Sequence, residues 1–277
     1  MITNEAVNQA IDYIMKNIGR ELSVEEIAEH CHFSKFYFCR IFKAETGEII
    51  YSFIKRVKME QSAFRLKVER ERTITDVGYD YGYSPSNYST VFKQHHQVTP
   101  ANFRRNICRK SLENPLFCQE DNKWETFAEC NEKISIETLE DYYVIYERRI
   151  GNYHNLSQDW GMFLDKYQEY MTEETLLLER TFDDPSITDV DSCLYDICMS
   201  VDKECTLENT CIIQGGKFAV YHFKGFANEI YAAYQNMFNV WFPQSHYEID
   251  ERYGFEIYHS ADCETMYMVM DLCIPIR

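Results

Sequence analysis

Residues 22–47, LSVEEIAEHCHFSKFYFCRIFKAETG, return in altered form fifty positions later as residues 72–97, RTITDVGYDYGYSPSNYSTVFKQHHQ. Ile27-Ala28 falls on Val77-Gly78, Phe33-Ser34 on Tyr83-Ser84, Phe38 on Tyr88, and Ile41-Phe42-Lys43 on Val91-Phe92-Lys93. Apolar residues three and four apart line one face of a helix, so each copy predicts helix, tight turn, helix, the helix-turn-helix arrangement. Ser23-Val24-Glu25-Glu26 has the spacing of a capping box, and Ser34 and Ser84 stand where they can cap the second helix of each copy. Gly82 suits the left-handed backbone of the second turn; His32 takes the same place in the first, where such a backbone is uncommon but tolerated.

Outward from the repeat, residues 49–67 read as one continuous helix acting as a rigid spacer. Ile50, Phe53, Ile54, Val57 and Phe64 form its apolar stripe, and Lys55, Arg56, Lys58, Arg65 and Lys67 fall elsewhere. Thr99-Pro100 supplies an N-cap and a proline at the first helical position, opening a last short helix with Arg104 and Arg105. Residues 111–133 mix Asn, Pro, Glu and isolated aromatics without periodicity, the composition of a linker.

Beyond the linker a weaker repeat appears at an offset of 74, each copy an apolar strand, a glycine and a helix, in residues 144–167 and around residues 219–241. Gly151 matches Gly225, Trp160 matches Tyr234, Phe163 matches Met237, Leu164 matches Phe238 and Tyr167 matches Trp241. Strands are expected after each helix, at 193–201 and 254–259, and at 266–275. The fold expected is an all-α domain over residues 1–110 with two helix-turn-helix units joined by a long helix, a linker over 111–133, and an α+β domain over 134–277. A duplicated strand-helix-strand-strand unit in the last places a cleft between its halves.

The net charge of −17 over 277 residues argues against nucleic acid until it is divided. Residues 1–110 hold 17 basic against 13 acidic residues, and residues 111–277 hold 11 against 32. An asymmetry of this size suits two modules with different partners, a phosphate backbone for the basic one. Eleven scattered cysteines with no Cys-x-x-Cys pair read as reduced thiols, and adjacent His30, Cys31 and His32 cannot converge on one ion, so no metal or other cofactor is expected. Without a run of about 18 apolar residues or a basic-then-apolar start, the expectation is a cytoplasmic chain with no membrane association. Asp183-Asp184, beside Pro185, reads as a solvated turn, as does the Glu173-Glu174 pair as a solvated face.

Leu22 to Ala28, Phe42 to Gly47, Thr75 to Tyr83, Phe92-Lys93 and Val98 to Arg104 together resemble the AraC/XylS family of transcription regulators. Departures are Gly78 where the family usually has alanine, Gln97 where it has glycine, and a turn one residue shorter before the last recognition helix. Arg149-Ile150-Gly151-Asn152-Tyr153, Asp183-Asp184-Pro185, Lys224-Gly225 and Phe255-Glu256-Ile257-Tyr258 resemble the GyrI-like effector-binding domains. The order, DNA-binding domain first, is similar to the Rob-type branch. These resemblances imply promoter DNA, RNA polymerase and a small-molecule effector as partners, and a central pocket role for the glutamate at position 256.

In a helix-turn-helix the outward face of the second helix meets base edges in the major groove. In the first copy Lys35, Phe36, Tyr37, Cys39, Arg40 and Lys43 are the candidates; Arg40 leads, because a guanidinium pairs with two guanine acceptors at once. In the second copy Ser86, Asn87, Thr90 and Lys93 take equivalent places, with Thr90 in the position of Arg40, so the first copy should supply most of the specificity. One monomer could then cover a site, and a monomer or weak dimer is expected. Tyr153, Trp160, Phe163, Trp241, Glu256 and Tyr258 are the candidates for an effector cleft, where a lipophilic cation would meet both charge and aromatic faces. No Ser-His-Asp or Cys-His arrangement is evident and no catalytic residue is expected. The alternatives are a GyrI-like hydrolase using Glu256, or a module that sequesters a protein or toxin.

Overall fold

The computed structural model describes residues 1–117, 123–153, 156–262 and 264–277; residues 118–122 of the expected linker lie outside that set. The chain forms two compact units, Met1–Ile107 with Asp183–Thr188, and Cys108–Phe182 with Asp189–Arg277.

The first unit is all helical and keeps the fifty-residue period to the residue. Helices α2 (Val24–His30) and α3 (Lys35–Thr46) repeat as α5 (Ile74–Asp80) and α6 (Pro85–His96), and α1 (Glu5–Lys16) precedes them. Between the copies runs α4 (Ile50–Val68), the expected spacer, and α7 (Pro100–Glu113) follows. Equivalent residues fill equivalent core sites: Phe38 and Tyr88, and Phe42 and Phe92, are all fully buried. Phe42 meets Phe53 edge-on at 5.3 Å, and Phe92 meets Phe103 in the same way at 5.3 Å. Both turns take the left-handed backbone, at His32 (φ 60°) and Gly82 (φ 79°), and Gly47 (φ 78°) and Gln97 (φ 61°) end the recognition helices alike.

Three local expectations change. Ser23 caps α2, but Glu26 turns away to Arg20 and Tyr13, so the capping box is only half made. Ser34 and Ser84 occupy the N-cap positions without a side-chain cap bond. Asp183-Asp184 is no solvated turn: Asp184 is buried and paired with Lys67 of α4 at 2.6 Å, within the first unit. Residue spacing cannot reveal a partner 117 positions away. The spacer is also more than a rod, because Lys58 donates from α4 to the carbonyls of Arg20 (2.7 Å) and Tyr81 (3.0 Å), one beside each helix-turn-helix copy.

The second unit is an α+β domain built on one antiparallel sheet of eight strands. These are β1 (Ile134–Leu139), β2 (Tyr142–Ile150), β3 (Leu177–Thr181), β4 (Leu194–Ser200), β5 (Thr210–Ile213), β6 (Gly216–Phe226), β7 (Phe255–Asp262) and β8 (Tyr267–Pro275). Their order is β1-β6-β8-β7-β3-β4-β2-β5. Exchanging β1 to β4 with β5 to β8 leaves that order unchanged, so the sequence repeat has become a pseudo-two-fold with β3 and β7 at its centre. Helix α9 (Leu156–Tyr167) and its counterpart α10 (Ile230–Asn236), which continues as a π-helical turn over Met237–Trp241, complete the two halves. Between residues 123 and 133, α8 (Phe127–Lys133) is opened by a full capping box of Thr126 and Glu129.

Alternation along the strands separates two faces. Leu178, Phe255 and Ile257 belong to one apolar cluster with Val144, Ile213 and Phe218. Phe255 reaches Tyr142 of β2, three strands away, at 5.8 Å, so the sheet coils upon itself on this side. Here too Arg148 grips Asp196 with both ends of its guanidinium (2.8 and 3.0 Å) while Arg180 takes the same carboxylate. The neighbouring residues Glu179, Glu256 and Tyr258 therefore point to the opposite face, which also carries the cluster of Phe163, Tyr167, Tyr195 and Ile197 around α9.

Candidate functional site

Helix α3 presents its outward face to solvent. Phe38 and Phe42 bury one side, which leaves Lys35, Phe36, Tyr37, Arg40 and Lys43 exposed and Cys39 half-buried. Phe36 is 87% exposed, a large apolar group for which the fold provides no cover. Arg40 stacks over the Tyr37 ring at 5.2 Å and is engaged by no carboxylate among the described residues, while Lys35 is tied to Glu25. On α6 the equivalent face of Ser86, Asn87, Thr90 and Lys93 is likewise exposed, and Thr90 spends its hydroxyl on the Ser86 carbonyl (3.0 Å). Thr90 and Lys93 line a groove of about 590 Å³ with Ser89, Gln94, Gln97 and Thr99. The two faces differ, one carrying aromatics and a guanidinium, the other short neutral side chains and one lysine.

In the second unit the structure joins three expected residues to two that sequence reasoning did not single out. Glu256 on β7 accepts from Tyr234 of α10 through Oε1 (2.9 Å) and from Tyr258 through Oε2 (2.9 Å). Directly opposite it in register on β3 stands Glu179, whose Oε2 is 3.2 Å from the same Tyr258 hydroxyl. Both carboxyl groups are almost fully buried. Trp160 of α9 meets the Tyr258 ring at 5.5 Å, and its buried indole N–H has no acceptor at full hydrogen-bond geometry among the described residues, though it is near enough to Glu179 to favour the charged form.

The electrostatics of the pair are unusual for buried carboxylates, which ordinarily find a cation. Glu147, on the same sheet face, does so, with Lys166 at 2.7 Å and Arg149 at 3.2 Å. Among the described residues neither Glu179 nor Glu256 has a basic partner. Burial, and then the charge of Glu256, raise the Glu179 carboxyl well above its ordinary range. Burial pushes Glu256 up to about 7, with the Tyr234 and Tyr258 hydroxyls pulling the other way.

Three expected members of the cleft stand apart from this group. Phe163 is fully buried core, beneath Trp160 at 5.8 Å. Tyr153 stacks on Tyr195 at 4.8 Å. Trp241 is buried, donates to Asn131 (3.1 Å) and stacks on Tyr247 (5.9 Å). Tyr234 and Glu179 carried a faint signal: Tyr234 is the repeat mate of Trp160, and Glu179 is a charge between leucines and Arg180 in a short strand that spacing alone did not mark. Among the described residues no group of His, Cys, Asp and Glu is arranged to hold a metal. No described helix is long and apolar enough to cross a membrane.

Residues 132–277 match the family model of the GyrI-like small molecule binding domain. The chain belongs to the GyrI-like family. Residues 7–106 of this GyrI-like protein, ahead of the GyrI-like domain, match a helix-turn-helix domain model, and its relatives there place it among AraC/XylS regulators. It is 31% identical over 99 residues to the multiple antibiotic resistance protein MarA of Salmonella typhimurium, covering 35% of this chain and 77% of MarA. It is 32% identical over 105 residues to an uncharacterized HTH-type transcriptional regulator of Pseudoalteromonas carrageenovora, 38% of this chain and 61% of that protein's length. The solved C-terminal domain of EcmrR aligns over 52% of this chain and 96% of its own at a TM-score of 0.45 and 12% identity.

Proposed function

We propose that this GyrI-like protein is a one-component transcription activator. The first unit reads a promoter, chiefly through α3, and the second binds a small lipophilic cation whose arrival changes transcription by RNA polymerase. The observation that carries the reading is the union in one chain of an uncovered α3 face, with Arg40 and Phe36 exposed, and a buried carboxyl site with no basic partner among the described residues. Arg40 supplies bidentate recognition of guanine, Phe36 meets a thymine methyl, and Lys43 and Lys93 meet phosphates. Tyr234 and Tyr258 meet Glu256 through their hydroxyls and Trp160 packs against Tyr258, an aromatic setting in which a desolvated cation gains both charge pairing and cation–π attraction. Because one chain holds two readers braced by Lys58, a monomer suffices for a full site.

The test is gel shift and transcription in vitro on promoter fragments selected by the protein, with and without a panel of lipophilic cations such as tetraphenylphosphonium. Arg40→Ala loses specific DNA binding, whereas Glu256→Gln keeps it and no longer responds to the cation. Wild-type protein that responds to no cation, or two variants that behave as wild type, overturns the reading.

A further inference from the structure

The carboxyl site also points to how its ligand binding is regulated, an inference that rests on the cationic effector proposed above. Tyr258 Oη stands within hydrogen-bond distance of Glu256 Oε2 (2.9 Å) and Glu179 Oε2 (3.2 Å). A phenol has one hydrogen to donate. If it goes to Glu256, the contact to Glu179 is attractive only when the Glu179 carboxyl itself carries a proton and donates back to the phenol oxygen. Tyr234 fills the other Glu256 oxygen, and no lysine or arginine among the described residues pairs with either carboxyl.

We propose that Glu179 and Glu256 share one proton in the free protein, and that a monocation reaching these carboxyls takes its place, so that each effector bound releases a proton to the solvent.

Two carboxylates directly opposite one another on buried strands cannot both ionise at low cost, and holding one proton between them is the ordinary solution. The described surroundings offer no other. Tyr234 of α10 and Tyr258 of β7 donate to Glu256, and the Trp160 indole of α9 faces Glu179. Asp159 of α9 is taken by Arg149 at 3.4 Å, and Asp196 of β4, which adds negative potential at Glu179, is held by Arg148 and Arg180 on the far face of the sheet. When the cation arrives, the O–H bond of the protonated carboxyl breaks, its electron pair stays on the oxygen, and the proton passes to water or buffer. The site goes from one negative charge to two, with the ligand's positive charge beside them. The pseudo-two-fold supplies the device, since it sets β3 against β7 at the centre of the sheet.

The experiment is calorimetric titration of the full chain with tetraphenylphosphonium, which has no proton of its own, between pH 5.5 and 8.5 in buffers of different ionisation heat. The expected result at pH 8, above the value of about 7 to which burial raises Glu256, is an apparent enthalpy that varies with the buffer in the proportion for about one proton released, and affinity that tightens up to about tenfold per pH unit until the pair has lost its proton. Glu179→Gln binds the cation with the same heat in every buffer at pH 8 and above, because Glu256, which burial raises to about 7, is then ionised without a charged neighbour. Wild-type binding with equal heats and a flat pH profile overturns the proton exchange and leaves the effector reading intact. No binding of any cation at any pH overturns both.

Discussion

Lys67 and Asp184, 117 positions apart in the chain, meet at 2.6 Å with both side chains nearly sealed from water. Burial would by itself raise the Asp184 carboxyl, but the Lys67 charge and hydrogen bonds from Lys67 and Ser186 hold it below its ordinary value. Breaking such a pair strands a charge, at a cost of about 3–5 kcal/mol. Asp184→Asn should therefore lower the urea midpoint of the helical signal, and Lys67→Met combined with Asp184→Leu should recover most of the loss. A carboxyl whose folded value is depressed adds stability above its unfolded value of about 3.9, lost as pH falls through the folded value. The difference between wild type and Asp184→Asn should shrink below about pH 4.

Arg40 and Phe36 test the DNA-reading face without touching the core. Arg40→Ala should cost about 1–3 kcal/mol of discrimination between promoter and competitor DNA, read by competition gel shift, whereas Thr90→Ala at the matching place on α6 should cost far less. Phe36 is 87% exposed, so Phe36→Ala should leave the unfolding free energy within about 0.5 kcal/mol of wild type while weakening preference for a thymine-containing site. A clear loss of stability in either variant would assign these side chains to the fold.

Gly78 answers a steric demand. A β-carbon there would stand 2.9 Å from Tyr88 Cγ and 3.1 Å from its Cβ, the unyielding end of that side chain. Gly78→Ala should destabilise the second helix-turn-helix by about 1–3 kcal/mol through overpacking. With Tyr88→Leu in the same chain the penalty should fall. Equal penalties in both backgrounds, by denaturant melts, would show that the ring is not the cause.

The carboxyl pair predicts a reversed pH effect on stability. Both carboxyl groups are raised in the fold, so the folded chain holds more protons than the unfolded one; their favourable contribution is complete below about pH 4.3 and is lost as pH rises through the folded values. Glu179→Gln should melt with wild type near pH 4.5 and be more stable by about 1–3 kcal/mol at pH 8, measured by thermal melts of the ligand-free protein. A variant equally displaced at both pH values would assign Glu179 a packing role.

The helical unit was legible because its signals are local. Apolar spacing, repeated at fifty, sets which side of each helix is buried, and Gly82 with its counterpart His32 marks both turns; α3 is then exposed where Arg40 and Phe36 stand because Phe38 and Phe42 are committed to the core. The duplication of the second unit was legible too, through Gly151 with Gly225 and Trp160 with Tyr234, and Glu256, Tyr258 and Trp160, marked in the sequence, lie together in the fold.

What the chain alone could not specify is register and reach. A strand offers the same alternation whichever strand lies beside it, so only pairing of β3 with β7 reveals that Glu179 faces Glu256. An aspartate beside a proline reads as a turn until the fold brings a lysine to it, as Lys67 comes to Asp184. Trp241 and Phe163 had the residue type and spacing of cleft aromatics, and tertiary packing spent them on Asn131 and the α9 core instead. Periodicity determines which face a side chain takes within its own element. Only the meeting of elements, governed by burial and by the high cost of an unpaired charge away from water, decides what that side chain meets.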